Sequence, residues 1–260
     1  MIDNDFIMDS LRKELLNPLY IPIIGFGGAG ANIIDSVEKI LAEIKKGPGG
    51  QEYANIFTVQ INTKQENLDE NLQAASKVLI SDKILGLHQD TNGFVEIGEK
   101  LMRNNFESIF GLGGVVNFKN ADAIILIGAV GGGMGTGGLK ETLRYILKNY
   151  RNIPVYPIVI LPFRIEDRPF WREEVSKLME IKSNFTTISN DLYIKDKKVN
   201  FKDVLEEINK NVALKVMEIV ENVMRKRKEI FTEFITNKIF NGKFSEVLND
   251  FELEYAKLTK

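Results

Sequence analysis

Short apolar runs alternate along the chain with segments in which apolar residues recur every three or four positions. The runs are typical of buried strands, and the periodic segments are typical of amphipathic helices. Strands are predicted at residues 20–24, 56–61, 78–80, 123–130, 155–161 and 185–188. Because helical segments separate these strands, we expect an α/β fold with a doubly wound, mostly parallel sheet.

The helical periodicity is longest after the last predicted strand. From residue 201 the pattern stays helical as far as the break at Asn241-Gly242, and a last helix is predicted over 244–258. A short amphipathic helix is predicted within 5–17, ahead of the first strand. We therefore expect a long helix to follow the sheet and a short helix to precede it.

Two glycine-rich segments each lie between a predicted strand and a predicted helix. The longer one, Gly128–Gly138, follows the apolar run 123–127 and precedes a helix that we expect to begin near Leu139. Backbone N–H groups, a helix dipole and missing β-carbons make such a turn a phosphate site. A plain glycine linker is the alternative, but linkers rarely join a core strand to an amphipathic helix.

The second segment, Gly25-x-Gly27-x-x-Gly30, has the spacing of a dinucleotide-binding fingerprint. A nicotinamide or flavin enzyme also needs an acid at the end of the second strand to hold the ribose. That strand ends here in Asn62-Thr63-Lys64, so a Rossmann-type dinucleotide oxidoreductase is a remote alternative. Two glycine loops on one sheet instead predict a single binding site in which the loops lie on either side of a triphosphate.

Several polar residues follow strands and should therefore lie together. Right-handed crossovers place the carboxyl ends of parallel strands on one edge, where such sheets bind ligands. Asn62, Glu166 and Asn190 each follow a predicted strand, as both glycine loops do. We expect all of them to share that edge.

Charge and composition exclude several classes of function. Lys and Arg number 34 against 36 Asp and Glu, and this balance argues against non-specific nucleic-acid binding. The absence of cysteine excludes thiolate chemistry, and the single histidine, His88, cannot form a multi-histidine metal cluster. No apolar run approaches the ~20 residues of a membrane span, and the acidic start is no signal peptide. We expect a soluble, cytoplasmic protein with at most indirect membrane contact.

The glycine loop and its neighbours resemble the tubulin/FtsZ superfamily, specifically its FtsZ-like GTP-binding domain. The family's phosphate loop reads Gly-Gly-Gly-Thr-Gly-Thr-Gly, and residues 131–137 read Gly-Gly-Gly-Met-Gly-Thr-Gly. Further segments resemble the family's first loop, Asn-Thr turn, ribose segment, guanine loop and central helix: Gly27–Asn32, Ile61–Thr63, Pro162–Glu166, Ile188–Asp191 and Val220–Thr236. The resemblance extends to about residue 247.

This resemblance implies a site for GTP or GDP, accompanied by Mg²⁺. Glu166 would bind the ribose, and Asn190 and Asn222 would pair with the guanine edge, which offers N–H donors and the O6 acceptor. The implied nucleotide-binding residues are Gly27, Gly28, Ala29, Gly30, Ala31, Asn32, Asn62, Gly131, Gly132, Gly133, Met134, Gly135, Thr136, Gly137, Glu166, Arg168, Asn190 and Asn222.

Three departures from the family pattern concern the same site. Met134 replaces a threonine, which removes a hydroxyl near the phosphates and is expected to narrow the loop. The family's arginine four residues after the ribose glutamate is Phe170 here, so Arg168 or Arg172 is the candidate substitute. Between Asn190 and Asn222 the chain is longer than in the family by roughly three helical turns.

In this family a loop after the central helix, Asn-x-Asp-x-x-Asp, completes the site of the next subunit. The matching segment is Asn241–Glu246, in which Glu246 keeps one acid and Lys243 replaces the other. Glu246 is thus the candidate catalytic residue, acting in trans, and the lysine suggests weak or absent GTP hydrolysis. Two alternatives stay open: an active polymerising GTPase completed by Glu246, or a segment that is only a turn between helices.

The resemblance also implies an organisation and a partner. We expect a helical extension over 1–18, a nucleotide-binding α/β domain over 19–200, and a long central helix, activation-type loop and terminal helix over 201–260. The family's second domain has no counterpart in this division. The implied partner is a further copy of the chain, in a nucleotide-dependent oligomer or filament, or an FtsZ-like protein.

Overall fold

The computed structural model describes residues 19–69, 76–80, 91, 93–166, 168, 170–194 and 200–234. Two predictions fall outside these residues, the helical extension over 1–18 and the segment 235–260 with Lys243 and Glu246, and so does His88. Within the described ranges the chain forms one sheet with helices on both faces.

The sheet has six strands, all parallel to their neighbours, in the order β3-β2-β1-β4-β5-β6. The strands are β1 (Ile21–Phe26), β2 (Ile56–Asn62), β3 (Ser76–Leu79), β4 (Ile124–Ala129), β5 (Val155–Leu161) and β6 (Thr186–Ser189). The central strands are buried on both faces, which explains their continuous isoleucine-rich and valine-rich runs. The predicted doubly wound α/β fold is confirmed.

In the described part of the chain, six α-helices accompany the strands. They are α1 (Gly27–Lys46), α2 (Gln65–Asp69), α3 (Val95–Phe110), α4 (Gly133–Asn149), α5 (Trp171–Ile181) and α6 (Phe201–Phe234). The predicted long helix after the last strand is confirmed, since the 34 residues of α6 span about 51 Å.

The predicted start of the fourth helix is wrong. Helix α4 begins at Gly133, inside the glycine loop, rather than near Leu139, and α1 likewise begins at Gly27. Glycine has low intrinsic helix propensity, so the sequence pattern hides these first turns. Contact with α3 explains why glycine occurs within this helix, because a β-carbon on Gly137 would lie 2.6 Å from the backbone nitrogen of Glu99.

Each face of the sheet has its own apolar core. Helices α1 and α6 cover one face, on which Ile23 and Ile125 lie, and α3, α4 and α5 cover the other, with Ile24 and Leu126. Successive residues of a strand point to opposite faces, so one isoleucine-rich strand serves both cores.

The strand order reverses between β1 and β4. From this point the chain builds outward through β2 and β3 on one side and through β5 and β6 on the other. Ligands of doubly wound sheets bind at such a switch point, outside the carboxyl ends of the strands. Helices α1 and α4 both begin there, so the fold brings both glycine loops to this point.

Candidate functional site

A cavity of about 470 Å³ opens at the switch point. It is lined by the first residues of α1 and α4 together with residues that follow β2, β5 and β6. The predicted residues that line it are Gly27, Gly28, Ala29, Asn62, Gly131, Gly132, Gly133, Met134, Gly135, Glu166, Arg168 and Asn190. The expectation that the strand-end residues share one edge is confirmed.

The two glycine loops touch through their backbones. A β-carbon on Gly27 would lie 3.1 Å from the backbone nitrogen of Gly135, and the φ of Gly27 is +68°. Gly131 also has a positive φ, of +92°, a conformation that favours glycine. Glycine is therefore favoured at both positions by the conformation, and at Gly27 also by the close approach.

Helices α1 and α4 begin at the cavity without side-chain caps. Their N-cap residues, Phe26 and Gly132, make no side-chain hydrogen bond to the first turn. The first turn of a helix has backbone N–H groups without intrahelical partners, and the helix dipole is positive there. Two such N-termini at one cavity make a strong site for an anion such as a chain of phosphates.

Five of the predicted residues do not line the cavity. Gly30, Ala31, Asn32, Thr136 and Gly137 are absent from the lining. The carbonyl of Ala31 accepts a hydrogen bond from Nε2 of Gln60 at 3.1 Å, and Oγ1 of Thr136 donates to the carbonyl of Ala129 at 3.3 Å. The contacts of Ala31 and Thr136 hold the first turns of α1 and α4 against the sheet, whereas Asn32 is exposed.

Met134 does not narrow the loop, and that expectation is wrong. Its side chain is only 3% exposed and belongs to the apolar core that also contains Phe26 and Leu139. The end of this side chain occupies the space that a β-carbon on Gly138 would need. The methionine therefore packs inward, and its backbone remains available to the cavity.

Two buried amide groups face the cavity without a partner. Asn62 and Asn190 are 3% and 8% exposed, yet Nδ2 of Asn62 and Oδ1 of Asn190 make no hydrogen bond among the described residues. Oδ1 of Asn62 is already used, since it accepts from the backbone nitrogen of Thr63 at 2.8 Å. A buried polar group without a partner costs about 1–3 kcal/mol, so both amides indicate a polar ligand.

Glu166 and Arg168 form the charged side of the cavity. Nε of Arg168 lies 3.5 Å from Oε2 of Glu166, whose Oε1 accepts from the backbone nitrogen of Phe163 at 3.2 Å. The Arg168 side chain passes Gly131, because a β-carbon there would meet its Cβ and Cγ at 3.3 Å. Arg168 thus places a positively charged side chain beside Gly131, at the start of the second glycine loop.

Arg172 lies elsewhere. Its Cζ is 5.3 Å from the ring centroid of Trp171, and it is not part of the lining. Phe170, at the position of the family's arginine, is 73% exposed and has a φ of +71°. Of the two arginines predicted as substitutes, the structure brings only Arg168 to the cavity.

The structure does not bring Asn222 to the cavity. Leu205, in the second turn of α6, lines the cavity, and Asn222 follows it by 17 residues, about 25 Å along the helix axis. Oδ1 of Asn222 accepts from Nη2 of Arg225 at 2.9 Å. Shortly after it, Arg227 lies 3.7 Å from Asp122, which precedes β4 at the opposite edge of the sheet.

The lining contains ten further residues. Thr63, Ala129, Val130 and Pro162 lie in segments that the sequence analysis named, and the residues that it missed are Phe26, Lys64, Thr91, Gly93, Ile160 and Leu205. Thr91 and Gly93 lie just before the start of α3, and the two glycine loops lie at the starts of α1 and α4. A position at the start of a helix is therefore the sequence signal that could have identified Thr91 and Gly93. A β-carbon on Gly133 would lie 2.5 Å from Cβ of Thr91, so this segment closes the wall beside the phosphate-type loop.

The lining offers little for a metal ion held by the protein alone. Among the described residues no group of three or more Asp, Glu or His side chains could hold one. Glu166 is an acid of the lining, and both its oxygens already have partners. Mg²⁺ commonly binds through a ligand's phosphates and water with one or two carboxylates, so this lining would hold such an ion only together with a phosphate ligand.

Comparison with known proteins agrees with the architecture. Residues 20–195 match the Tubulin/FtsZ family, GTPase domain. Cell division protein FtsZ 2 of Methanocaldococcus jannaschii is 27% identical over 241 residues, which cover 90% of this chain and 54% of that protein. Tubulin-like protein CetZ4 of Haloferax volcanii is 29% identical over 140 residues, 54% of this chain and 34% of that protein.

Solved structures share the fold. A mutant FtsZ of M. jannaschii has a TM-score of 0.66 at 23% identity, covering 85% of this chain and 62% of that one. CetZ2 from Haloferax volcanii, solved as a GTPgS-bound protofilament, has a TM-score of 0.62 at 20% identity, covering 76% and 57%.

Two further observations bear on the class of protein. The chain spans about half the length, or less, of the two curated relatives named above. No helix in the described ranges is both long and apolar enough to cross a membrane. The match to the GTPase domain covers more than half of the chain. The chain belongs to the Tubulin/FtsZ family.

Proposed function

We propose that this protein binds GTP or GDP in the switch-point cavity. One observation carries the proposal: two uncapped helix N-termini meet at a cavity that also contains two buried, unpartnered amides. The helix N-termini suit the phosphates, and the amides suit a base or sugar with its own donors and acceptors. The Rossmann-type oxidoreductase alternative is not supported, because the matching family is one of GTPases.

The base side of the site is proposed to lie between β6 and α6. Asn190 follows β6, and Leu205 offers an apolar surface on α6. Asn209 follows Leu205 by four residues and therefore lies on the same side of the helix. Asn190 and Asn209 are our candidates for reading guanine, Glu166 for the ribose, and Gly27–Ala29 and Gly131–Gly135 for the phosphates. Mg²⁺ would accompany the phosphates.

The nucleotide state is proposed to govern association with a further copy of the chain or with an FtsZ-like partner. The relative CetZ2 was solved as a GTPgS-bound protofilament, which supports this view. We propose weak or absent hydrolysis, because Lys243 stands where the family has an acid. The alternative is an active, polymerising GTPase in which Glu246 of one subunit completes the site of the next.

Calorimetry on nucleotide-stripped protein tests the binding proposal. GTP and GDP should bind with Mg²⁺ present, and ATP, which lacks the guanine edge, should bind at least tenfold more weakly. Failure of both guanine nucleotides to bind would overturn the proposed function.

Hydrolysis and sedimentation separate the two candidates. A pellet that forms with GTP but not with GDP, at negligible turnover, supports a nucleotide-controlled assembly. Turnover that rises steeply with protein concentration and disappears in Glu246→Ala supports the GTPase instead.

A further inference from the structure

A buried network of ion pairs joins three helices on one face of the sheet. Its centre is Lys140 of α4, which is 2% exposed. Nζ of Lys140 lies 2.6 Å from Oε1 of Glu99 in α3 and 2.7 Å from Oε2 of Glu174 in α5. One buried ammonium group therefore holds a carboxylate of each neighbouring helix.

Other charges surround this centre. Oε1 of Glu174 is 2.8 Å from Nζ of Lys177. Glu99 lies 3.7 Å from Arg144 and 3.9 Å from Arg103. Each of the two glutamates thus has at least one cationic neighbour besides Lys140.

The three helices have a common relation to the cavity. Helix α3 follows the segment with Thr91 and Gly93, α4 begins within the glycine loop, and α5 follows the segment with Glu166 and Arg168. Each of these segments lines the cavity on the side that we propose for the phosphates. The side that we propose for the base lies at Asn190, which directly follows β6, and at Leu205 of α6, and neither element contributes to the network described above.

The burial of charged groups costs free energy, so such a network is expected to add little to the stability of the fold. The desolvation of buried ions offsets much of their attraction, and well-packed apolar residues often stabilise a protein as well or better. Directional ion pairs do restrict how helices sit against one another. The backbones of α3 and α4 touch near the network, at Gly98 beside Glu99 and at Gly133 two turns before Lys140. A β-carbon on Gly98 would be 2.8 Å from the carbonyl carbon of Gly133.

We propose that Lys140 is a positioning residue that sets the mutual placement of the three cavity segments and thereby the affinity for the phosphates. The inference rests on the proposed function, because it concerns the same cavity. It assigns Lys140 no contact with the nucleotide. Loss of its ammonium group should weaken the interactions with phosphates and spare those with the base.

Lys140→Met is the variant that tests this inference. It should fold, since Glu174 keeps Lys177 and Glu99 keeps Arg144. Dissociation constants are measured for GTP by calorimetry and for guanosine, which has no phosphate, by ligand-observed NMR. We expect GTP to bind at least tenfold more weakly and guanosine to change by less than twofold.

Lys148→Met is the matched control, because Lys148 is an exposed lysine of the same helix. It should change neither constant by more than twofold. An equal loss for GTP and guanosine in Lys140→Met, or an unchanged GTP affinity, would overturn the inference.

Glu99→Gln, which leaves Lys140 paired with Glu174, decides the question if Lys140→Met does not fold. It should weaken GTP binding about threefold, with guanosine unchanged, and the absence of that difference would also refute the idea.

Wild-type measurements separate this inference from the proposed function. If wild-type protein binds neither GTP nor guanosine, the proposed function fails and the inference fails with it. If wild-type protein binds GTP, and Lys140→Met and Glu99→Gln bind it with the same affinity, only the role of Lys140 is refuted.

Discussion

A β-carbon on Gly98 would lie 2.8 Å from the carbonyl carbon of Gly133, and closer still to its oxygen. Helix α3 therefore contacts the first turn of α4 through its backbone, directly behind the candidate phosphate site. This contact is between main chains, so neither side can give way by a change of rotamer. The position of the glycine loop consequently depends on the absence of a side chain on α3.

Gly98→Ala should displace α3 from the glycine loop. Overpacking in a close-packed interior costs about 1–3 kcal/mol, and we expect that loss in the free energy of unfolding in urea. GTP affinity should fall as well, since Gly133 lines the cavity. Gly47→Ala is the control, because its β-carbon would lie at an ordinary 3.4 Å from the carbonyl of Ile44. Equal stability of the two variants would contradict the importance of the Gly98 contact.

Asn62→Asp should weaken GTP binding without loss of the fold. The aspartate keeps the oxygen that accepts from the backbone of Thr63, but it loses the unpartnered Nδ2 donor and adds a negative charge. A hydrogen bond to a charged group contributes about 1.5–3 kcal/mol, so we expect at least a tenfold rise in Kd by calorimetry. Asn211→Asp, on the exposed side of α6, should leave Kd unchanged. A Kd for Asn62→Asp within twofold of wild type would argue against a ligand at this amide.

Alanine at two positions of α6 tests which end of the helix reads the base. Asn222→Ala should leave GTP affinity within twofold of wild type, because Asn222 lies about 25 Å along the axis from Leu205. Asn209→Ala should weaken GTP binding about tenfold, and it should reduce the preference for GTP over ATP. The reverse result would restore Asn222 as the base-reading residue.

Arg168→Gln and Arg172→Gln test which arginine replaces the one that the family pattern has. Arg168 passes Gly131 at the cavity, whereas Arg172 stacks on Trp171. We expect at least a fivefold loss of GTP affinity in Arg168→Gln and no change in Arg172→Gln, measured side by side by calorimetry at low salt, where exposed charges act most strongly. Equal effects of the two variants would contradict the assignment.

Glu174 should make the stability of the protein depend on acid pH. Burial by itself raises the pKa of Glu174, but hydrogen bonds and attraction from Lys140 and Lys177 outweigh it and lower the pKa below its ordinary value of 4.5. A carboxyl with a lowered pKa stabilises the fold fully above its unfolded value, and this contribution is lost as pH falls through the folded value. Glu99 and Glu173 are the other acids that share its lysines.

Thermal melts of wild type and Glu174→Gln from about pH 7 to about pH 3 measure this contribution. Wild type should melt higher than the variant above about pH 5, and the difference should shrink as the pH falls below 4.5. A difference that stays constant over the whole range would show that Glu174 does not titrate with a lowered pKa.

The sequence alone determined the order of strands and helices and the place of most polar site residues. Apolar runs report burial directly, and parallel strands bring whatever follows them to one edge. Asn62, Glu166 and Asn190 could therefore be assigned to one site without coordinates. Their role as ligands of a nucleotide stays a prediction.

Only the tertiary structure decided which side of each element faces the cavity. The side chain of Met134 packs into the core, Arg168 and not Arg172 reaches the glycine loop, and Leu205 rather than Asn222 brings α6 to the site. Periodicity shows that a helix has a buried side but not which turn of a 34-residue helix meets the end of the sheet. That choice depends on how α6 packs against α1 and the strands, where contacts between residues far apart in sequence determine the position of every turn.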